Sequence, residues 1–273
     1  MPASALALTL AAAVLHASWN LLLARARDPQ AATAVAMVVG LVAYAPVAAL
    51  VWRIDSQAWP YLALTSVLQL AYTALLATAY RRAELSVFYP VARGTAPVLV
   101  LAGTVALGAA TSPGQALGVC VVALGIFLVR GRAGASSPAS LAFGLTLAAF
   151  IAGYTVVDKQ AIPHASPFAY LEVSMVLTGV AYASALAWRR GTGALRAELT
   201  PTSVAAGLAV FGAYGLVLVA LQRAPAAPVA AVRETSIVIA TGLAGLVLGE
   251  KVGGIRILGA IVVAAGVALV SAS

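Results

Sequence analysis

Long apolar runs, separated by short polar breaks, fill the chain from end to end. Each run holds about 20 residues, the length that an α-helix needs to cross the hydrocarbon core of a bilayer. Only helices and closed barrels satisfy every backbone polar group in lipid, and these runs are too long and continuous for barrel strands. The pattern therefore predicts an all-α membrane protein with ten transmembrane helices, at residues 3–24, 31–52, 59–80, 87–109, 113–129, 140–158, 166–188, 202–221, 226–249 and 253–271.

Composition leaves little room for another class of protein. Of the 273 residues, 63% are hydrophobic and 9% are charged, whereas soluble domains carry about 25% charged residues. The single cysteine, Cys120, lies in an apolar run, which argues against an intrachain disulfide or a thiolate metal cluster. We expect a multi-pass protein of the cell (plasma) membrane, with the lipid bilayer as its surroundings and with neither a cofactor nor a metal site.

The basic residues lie at the ends of the apolar runs, as topology signals do, so the net charge of +8 does not indicate a nucleic-acid partner. Even-numbered loops hold only Arg53, Lys159 and Arg223. Because positive loops stay in the cytoplasm, this distribution predicts that both termini lie outside. Odd-numbered loops hold the larger group, Arg25, Arg27, Arg81, Arg82, Arg130, Arg132, Arg189, Arg190, Arg196, Lys251 and Arg256.

The two halves of the chain repeat one another. The string LTLAA at residues 8–12 recurs at 145–149, and glycines at 118 and 125 recur in the same order at 259 and 266. Five spans per half is an odd number, so the second half must enter the membrane from the opposite side. The chain is therefore predicted to form two inverted five-helix repeats, 1–132 and 139–273, an architecture of transporters with the substrate site between the halves.

Several polar side chains fall inside the predicted spans, where an ionisable group is costly and usually faces a cavity. The planar fork of arginine suits a carboxylate or phosphate group, and His16 and Asn20 share one face of span 1. Glu234 is expected to neutralise at most one arginine, because it points about 100° away from its neighbour Arg233 on the helix. The candidate substrate-binding residues are His16, Trp19, Asn20, Arg93, Tyr154, Arg233 and Glu234.

The same side chains also have a structural interpretation. Arg233 and Glu234 would neutralise other buried groups, Arg93 would reach a lipid headgroup, and His16 would bond a backbone carbonyl or Asn20. Gln69 in span 3 and Glu172 in span 7 are further polar positions. Asp158 and Lys159, at the end of span 6, are interpreted as a solvated helix end, with a gate as the alternative.

Short strings in both halves resemble the drug/metabolite transporter superfamily, in its ten-span EamA-type branch. They are HASWN at 16–20, PVARGTAP at 90–97, YTVVDK at 154–159 and LGEK at 248–251. The resemblance covers essentially the whole chain, although the first half has Gly108, Ala109 and Ala110 where the second has its acidic string. It implies cytoplasmic termini, opposite to the charge distribution, so the orientation stays open.

These features favour a secondary transporter, an exporter or exchanger of small organic metabolites or drug-like compounds that works by alternating access through a central cavity, as a monomer or homodimer. Protons are candidate coupling ions through His16 or Glu234, and uncoupled exchange fits equally well. A lipid-linked glycan flippase is an alternative. An intramembrane enzyme is a weaker one, because the chain has two histidines, no HExxH string and no other catalytic set.

The even number of spans predicts that both ends of the chain lie on one side of the membrane. Reporter domains fused at residue 1 and at residue 273 should give signals from the same membrane face. Signals from opposite faces would contradict the ten-span topology.

Overall fold

Helices build the whole of the described structure, because each apolar run satisfies its own backbone hydrogen bonds. The computed structural model describes residues 1–130, 137–248 and 253–273. Within these residues the one β pairing is an isolated bridge between Ile54 and Ala165. The helices are α1 (Ala3–Ala24), α2 (Pro29–Leu50), α3 (Trp59–Arg82), α4 (Leu85–Ala106), α5 (Pro113–Arg130), α6 (Pro138–Ala161), α7 (Pro167–Arg190), α8 (Thr192–Ala197), α9 (Pro201–Arg223), α10 (Ala226–Arg233), α11 (Thr235–Leu248) and α12 (Gly254–Ala272).

The prediction of an all-helical membrane protein is confirmed. In the part of the chain that is described, eight helical segments are long and apolar enough to cross a membrane, and Pro113–Val129 is a shorter apolar helix. The complete set of ten spans stays a prediction. The LGEK string at 248–251, and the loop charges Arg132 and Lys251, fall wholly or partly outside the described residues.

Local chemistry fixes where several helices begin. A proline occupies the first turn of α2, α6 and α9, where its missing amide hydrogen costs nothing. The residue before each proline caps the helix: the side chains of Asp28, Ser137 and Thr200 accept hydrogen bonds from backbone amides of the first turn. Polar residues in the breaks therefore stop one span and start the next.

Two features differ from the predicted spans. The span expected at 226–249 is divided into α10 and α11 at Glu234, where the Glu234 amide bonds the Ala231 carbonyl and Thr235 donates its hydroxyl to Val232. These bonds to the third residue back tighten the chain and interrupt the regular helix. The short helix α8 lies in a loop for which no helix was predicted.

Exposed arginines lie together at one end of the bundle. One end, here called the basic end, carries the exposed Arg25, Arg27, Arg81 and Arg82, and there Arg190 pairs with Asp28 at 2.8 Å. At the opposite end the amino group of Met1 donates to the Ser271 carbonyl over 3.0 Å. The first helix therefore begins beside the end of the last helix.

Helices α5 and α12 pack at backbone distance through glycines. A Cβ atom built on Gly118 would lie 2.9 Å from the Gly266 carbonyl oxygen, and one on Gly125 would lie 2.9 Å from that of Gly259. Such small residues allow two membrane helices to approach closely. Gly118 contacts Gly266, and the later residue Gly125 contacts the earlier residue Gly259, so the two helices are antiparallel.

A methyl group at this contact should destabilise the fold. In Gly125→Ala the new Cβ would lie 2.7 Å from the Val263 nitrogen, so backbone must move. We expect a loss of about 1–3 kcal/mol, the usual cost of overpacking. Unfolding of the purified protein in mixed micelles measures it. Gly242→Ala is the matched control, because nothing lies within 4 Å of its added Cβ; equal losses in the two variants would contradict the interpretation.

Candidate functional site

Two arginines and one glutamate meet in the interior of the bundle. Arg93 comes from α4, Arg233 ends α10, and Glu234 occupies the break before α11. The Arg93 Nε atom lies 2.9 Å from Glu234 Oε2, and Arg233 Nη2 lies 3.7 Å from Glu234 Oε1. The three residues are 4%, 6% and 0% exposed, so this arginine cluster is closed to solvent.

Arg93 is held by two further side chains. Its Nη2 atom lies 3.1 Å from His16 Nε2 and donates to Ser236 Oγ over 3.2 Å. A guanidinium group carries only donors, so His16 Nε2 must be the acceptor in this contact. The imidazole is therefore neutral, with its proton on Nδ1, and it serves Arg93 as a hydrogen-bond partner in this conformation.

Arg233 is poorly satisfied by comparison. Its Nε and Nη2 atoms are buried and make no hydrogen bond with any described residue, and Nη2 has only the 3.7 Å ion-pair contact with Glu234. In Arg93 the Nε atom alone lacks a hydrogen bond, and it lies 2.9 Å from Glu234 Oε2. Two guanidinium groups share one carboxylate, which leaves the cluster with an excess of one positive charge. Buried charges are normally paired, so this excess indicates an incomplete set of partners.

The other predicted site residues, Trp19, Asn20 and Tyr154, pack against other side chains or backbone and make no hydrogen bond with the arginine cluster in the described part of the chain. The Trp19 ring meets the His16 ring edge-on, with centroids 4.9 Å apart. Asn20 donates to the backbone carbonyl of His16 over 2.7 Å, so its amide serves its own helix. Tyr154 is 9% exposed and lies edge-on to Tyr214, with centroids 6.4 Å apart.

The sequence-based interpretation of Asp158 as a solvated helix end is wrong. Asp158 is 1% exposed and joins three helices besides its own. Thr65 on α3 and Tyr170 on α7 each donate to its Oδ1 atom over 2.8 Å, and Tyr214 on α9 donates to Oδ2. Gln69 donates in turn to the Tyr214 hydroxyl oxygen over 2.8 Å. We call these five residues the Asp158 network.

Lys159 is also fixed, on the other side of α6. Its Nζ atom donates to the Leu221 carbonyl over 2.6 Å and to the Ala224 carbonyl over 3.0 Å. These carbonyls belong to the last turn of α9 and the residue after it, where a helix has no internal donors left for them. The lysine thus caps a neighbouring helix instead of reaching solvent, because α6 continues to Ala161, beyond its predicted end.

Part of the Asp158 network follows from the spacing of polar residues in the sequence. Thr65 and Gln69 are four residues apart on α3, and Tyr154 and Asp158 are four residues apart on α6, so each pair shares a helix face. Gln69 was singled out from the sequence and Thr65 was not. Nothing in the sequence indicates that these two faces, from different halves of the chain, pack against each other.

A separate groove of about 350 Å³ lies between α3 and α7 near the basic end. Its walls are largely apolar and include Arg81, Tyr182 and Arg189. None of the residues that line it belongs to the arginine cluster or to the Asp158 network. This groove is therefore separate from the place where the buried charges lie.

Comparison with known proteins identifies the family. Residues 139–272 match the model of the EamA-like transporter family. This half of the chain belongs to the EamA-like transporter family. The match confirms the resemblance to the drug/metabolite transporter superfamily, and with the apolar helices it indicates a multi-pass membrane protein.

The fold has a solved counterpart. A chain titled "Crystal structure of protein" superposes with a TM-score of 0.77 at 16% identity, over 100% of this chain and 98% of its own. At that identity the likeness establishes the shared fold alone. No curated protein sequence matches the chain.

Removing the shared carboxylate should destabilise the EamA-like protein. Glu234→Gln leaves Arg93 and Arg233 buried without a counter-ion, and breaking a buried pair costs about 3–5 kcal/mol. The double variant Glu234→Gln/Arg93→Gln should recover part of this loss, because one cation is removed with the carboxylate. Unfolding in mixed micelles compares the two variants. A double variant that is less stable than the single one would contradict this account of charge balance.

Proposed function

We propose that this protein is a secondary transporter of small organic metabolites that carry a carboxylate or another anionic group, with the arginine cluster as its substrate site. Export or exchange by alternating access belongs to the proposal. The observation that carries it is the excess positive charge of the cluster, together with the two buried nitrogen atoms of Arg233 that make no hydrogen bond with any described residue.

Chemistry favours Arg233 as the residue that contacts the anion. Arg93 already has Glu234, His16 and Ser236 within 3.2 Å. Arg233 has only the 3.7 Å approach to Glu234. A substrate carboxylate that paired with Arg233 would bring the cluster to neutrality and satisfy the free N–H groups, and charge-assisted bonds of this kind are strong.

Ten spans in two inverted repeats, 1–132 and 139–273, also belong to this proposal. The contact between α5 and α12 supports it, because it is antiparallel and reciprocal: the partners of Gly118 are Val270 and Gly266, and those of Gly259 include Val129 and Gly125. In the sequence repeat Gly118 corresponds to Gly259 and Gly125 to Gly266, so the second set of partners reproduces the first.

Helix neighbours follow the same symmetry. In the two repeats α1 corresponds to α6, α3 to α9, and α4 to α10 with α11. The contact of α1 with α9 thus matches that of α6 with α3, and the contact of α4 with α6 matches that of α10 and α11 with α1. The pattern of contacts is therefore the same when the two repeats are exchanged.

The closed cluster corresponds to an occluded stage of alternating access. At 4%, 6% and 0% exposure, the three charged residues are out of reach of either end of the bundle. Substrate exchange then requires helices to separate on one side at a time. A transporter of this type needs no catalytic residue, because moving a solute makes and breaks no covalent bond.

Counterflow in proteoliposomes tests the proposed activity. Vesicles preloaded with one compound should exchange it for the labelled compound outside, without chemical change. The panel should contain amino acids, monocarboxylates, dicarboxylates, neutral sugars and organic cations. Exchange confined to sugars or cations, or no exchange at all, would contradict the proposal, and conversion into a product would favour an enzyme.

Replacement of Arg233 by lysine should weaken binding of the transported anion. Lysine keeps the charge but loses the planar fork, and a hydrogen bond to a charged group contributes about 1.5–3 kcal/mol. Arg93→Lys should weaken binding as well, through loss of the bonds that position Glu234. Competition in counterflow measures both, and exposed Arg53→Lys is the matched control. Parental affinity in both interior variants would assign the arginines a purely structural role.

A further inference from the structure

Asp158 is a second buried carboxylate that lies outside the arginine cluster. It has no ion pair with any described residue, and its three contacts are neutral hydroxyl groups of Thr65, Tyr170 and Tyr214. Glu234, in contrast, lies between two guanidinium groups. The two carboxylates therefore differ in whether a cation balances their charge.

The surrounding ionisable groups leave Asp158 without a direct cation. Arg233 on α10 interacts with it electrostatically, but the hydrogen bonds to the carboxylate come from hydroxyls alone. The helices packed around it present Thr65 and Gln69 on α3, Tyr170 on α7 and Tyr214 on α9. The remaining ionisable neighbours are engaged elsewhere: Tyr154 with Tyr72, Lys159 with the end of α9, Arg93 with Glu234, and His164 with Tyr61.

Hydroxyl partners permit two protonation states, because a hydroxyl either donates or accepts. When Asp158 is ionised, Tyr214 donates to Oδ2. When Oδ2 carries a proton, that O–H donates to the Tyr214 oxygen and the tyrosine proton turns away. The arginine cluster has no such freedom: a guanidinium accepts no hydrogen bond, and a protonated Glu234 would leave two cations unbalanced.

Among the described residues, Tyr214 is the one partner of Asp158 that is not fully buried. Asp158, Thr65 and Tyr170 are 1%, 0% and 0% exposed, whereas Tyr214 is partly exposed and touches both Asp158 and Gln69. The Tyr214 ring also contacts Tyr154, which interacts electrostatically with both arginines. The carboxylate is thus sealed by a side chain that borders the proposed substrate site.

We propose that Asp158 is the proton-binding site that couples this transporter to a proton gradient. In each cycle one proton from water adds to Oδ2, which turns the carboxylate into a neutral acid, and the same proton leaves on the other side of the membrane. The inference rests on the proposed function, since only a transported solute gives the proton a partner to move with.

The excess charge of the arginine cluster supplies the coupling between the two sites. A nearby cation favours the ionised form of a carboxyl group, and a substrate anion bound to Arg233 would offset that effect. Anion binding then favours proton binding, and by thermodynamic reciprocity proton binding favours the anion. The geometry therefore points to an anion and a proton that move together, in whichever direction their gradients drive them.

Infrared difference spectroscopy tests proton binding without any substrate. Purified protein in lipid nanodiscs should show the C=O band of a protonated carboxylic acid that disappears as the pH is raised. The comparison is made in a Glu172→Gln background, because Glu172 Oε2 is buried without a hydrogen-bond partner among the described residues and would add a band of its own. In that background Asp158→Asn should remove the remaining band. Asp158→Glu should give a titrating band at a shifted frequency, which keeps the test valid if Asp158→Asn does not fold. A band that survives in Glu172→Gln/Asp158→Asn, or its absence from Glu172→Gln, overturns the proposal.

Transport supplies the second measurement. With a compound that the counterflow panel identifies, binding should strengthen at acid pH by a factor of about 5–150, the usual range of coupling between two sites. Asp158→Asn should abolish this pH dependence and the accumulation driven by a pH gradient, while Glu172→Gln keeps both. Counterflow that is independent of pH overturns proton coupling and leaves the proposed function intact. An absence of counterflow for every compound defeats the proposed function, while the infrared band still reports on the proton site.

Discussion

One carboxylate placed between two guanidinium groups is the interaction on which the interior of this bundle depends. Charges inside a membrane protein are costly unless they are paired or hydrated. Glu234 offsets much of that cost for Arg93 and part of it for Arg233. For Glu234 to reach both arginines, α4 must lie beside α10. The polar centre and the packing of these two helices therefore depend on the same electrostatic requirement.

Close backbone packing surrounds this polar centre with a firm frame. The glycine contact of α5 with α12 leaves no space for even a methyl group, and Gly207 on α9 meets the backbone of Ala36 on α2 in a similar way. Lipid offers helices little hydrophobic incentive to associate, so such contacts hold them together by van der Waals packing.

The two buried polar groups obey different chemistry although they lie close together. Arginine is always protonated in proteins and only donates, so the arginine cluster holds a fixed charge that an anion can complete. The Asp158 network is built from hydroxyls and an amide, which reorient when a proton arrives or leaves. Tyr154 lies between them, with its ring against Tyr214 and its hydroxyl within electrostatic reach of both arginines. A fixed charge beside a titratable one is a physical basis for linking the two ligands.

The sequence by itself determined the class of protein, most of the helix positions and the identity of the charged residues. Span length, capping residues and proline positions are local properties, and for that reason the predicted helices agree closely with the observed ones. Only the tertiary structure decided which polar residues meet. It brought Arg93 and Arg233 to one glutamate, directed Asn20 to its own backbone, and placed Asp158 among hydroxyls from three other helices. Nearly every helix face in this chain is apolar, so the periodicity of the sequence does not specify which helices pack against each other. The contacts among the polar side chains therefore depend on how helices from both halves pack.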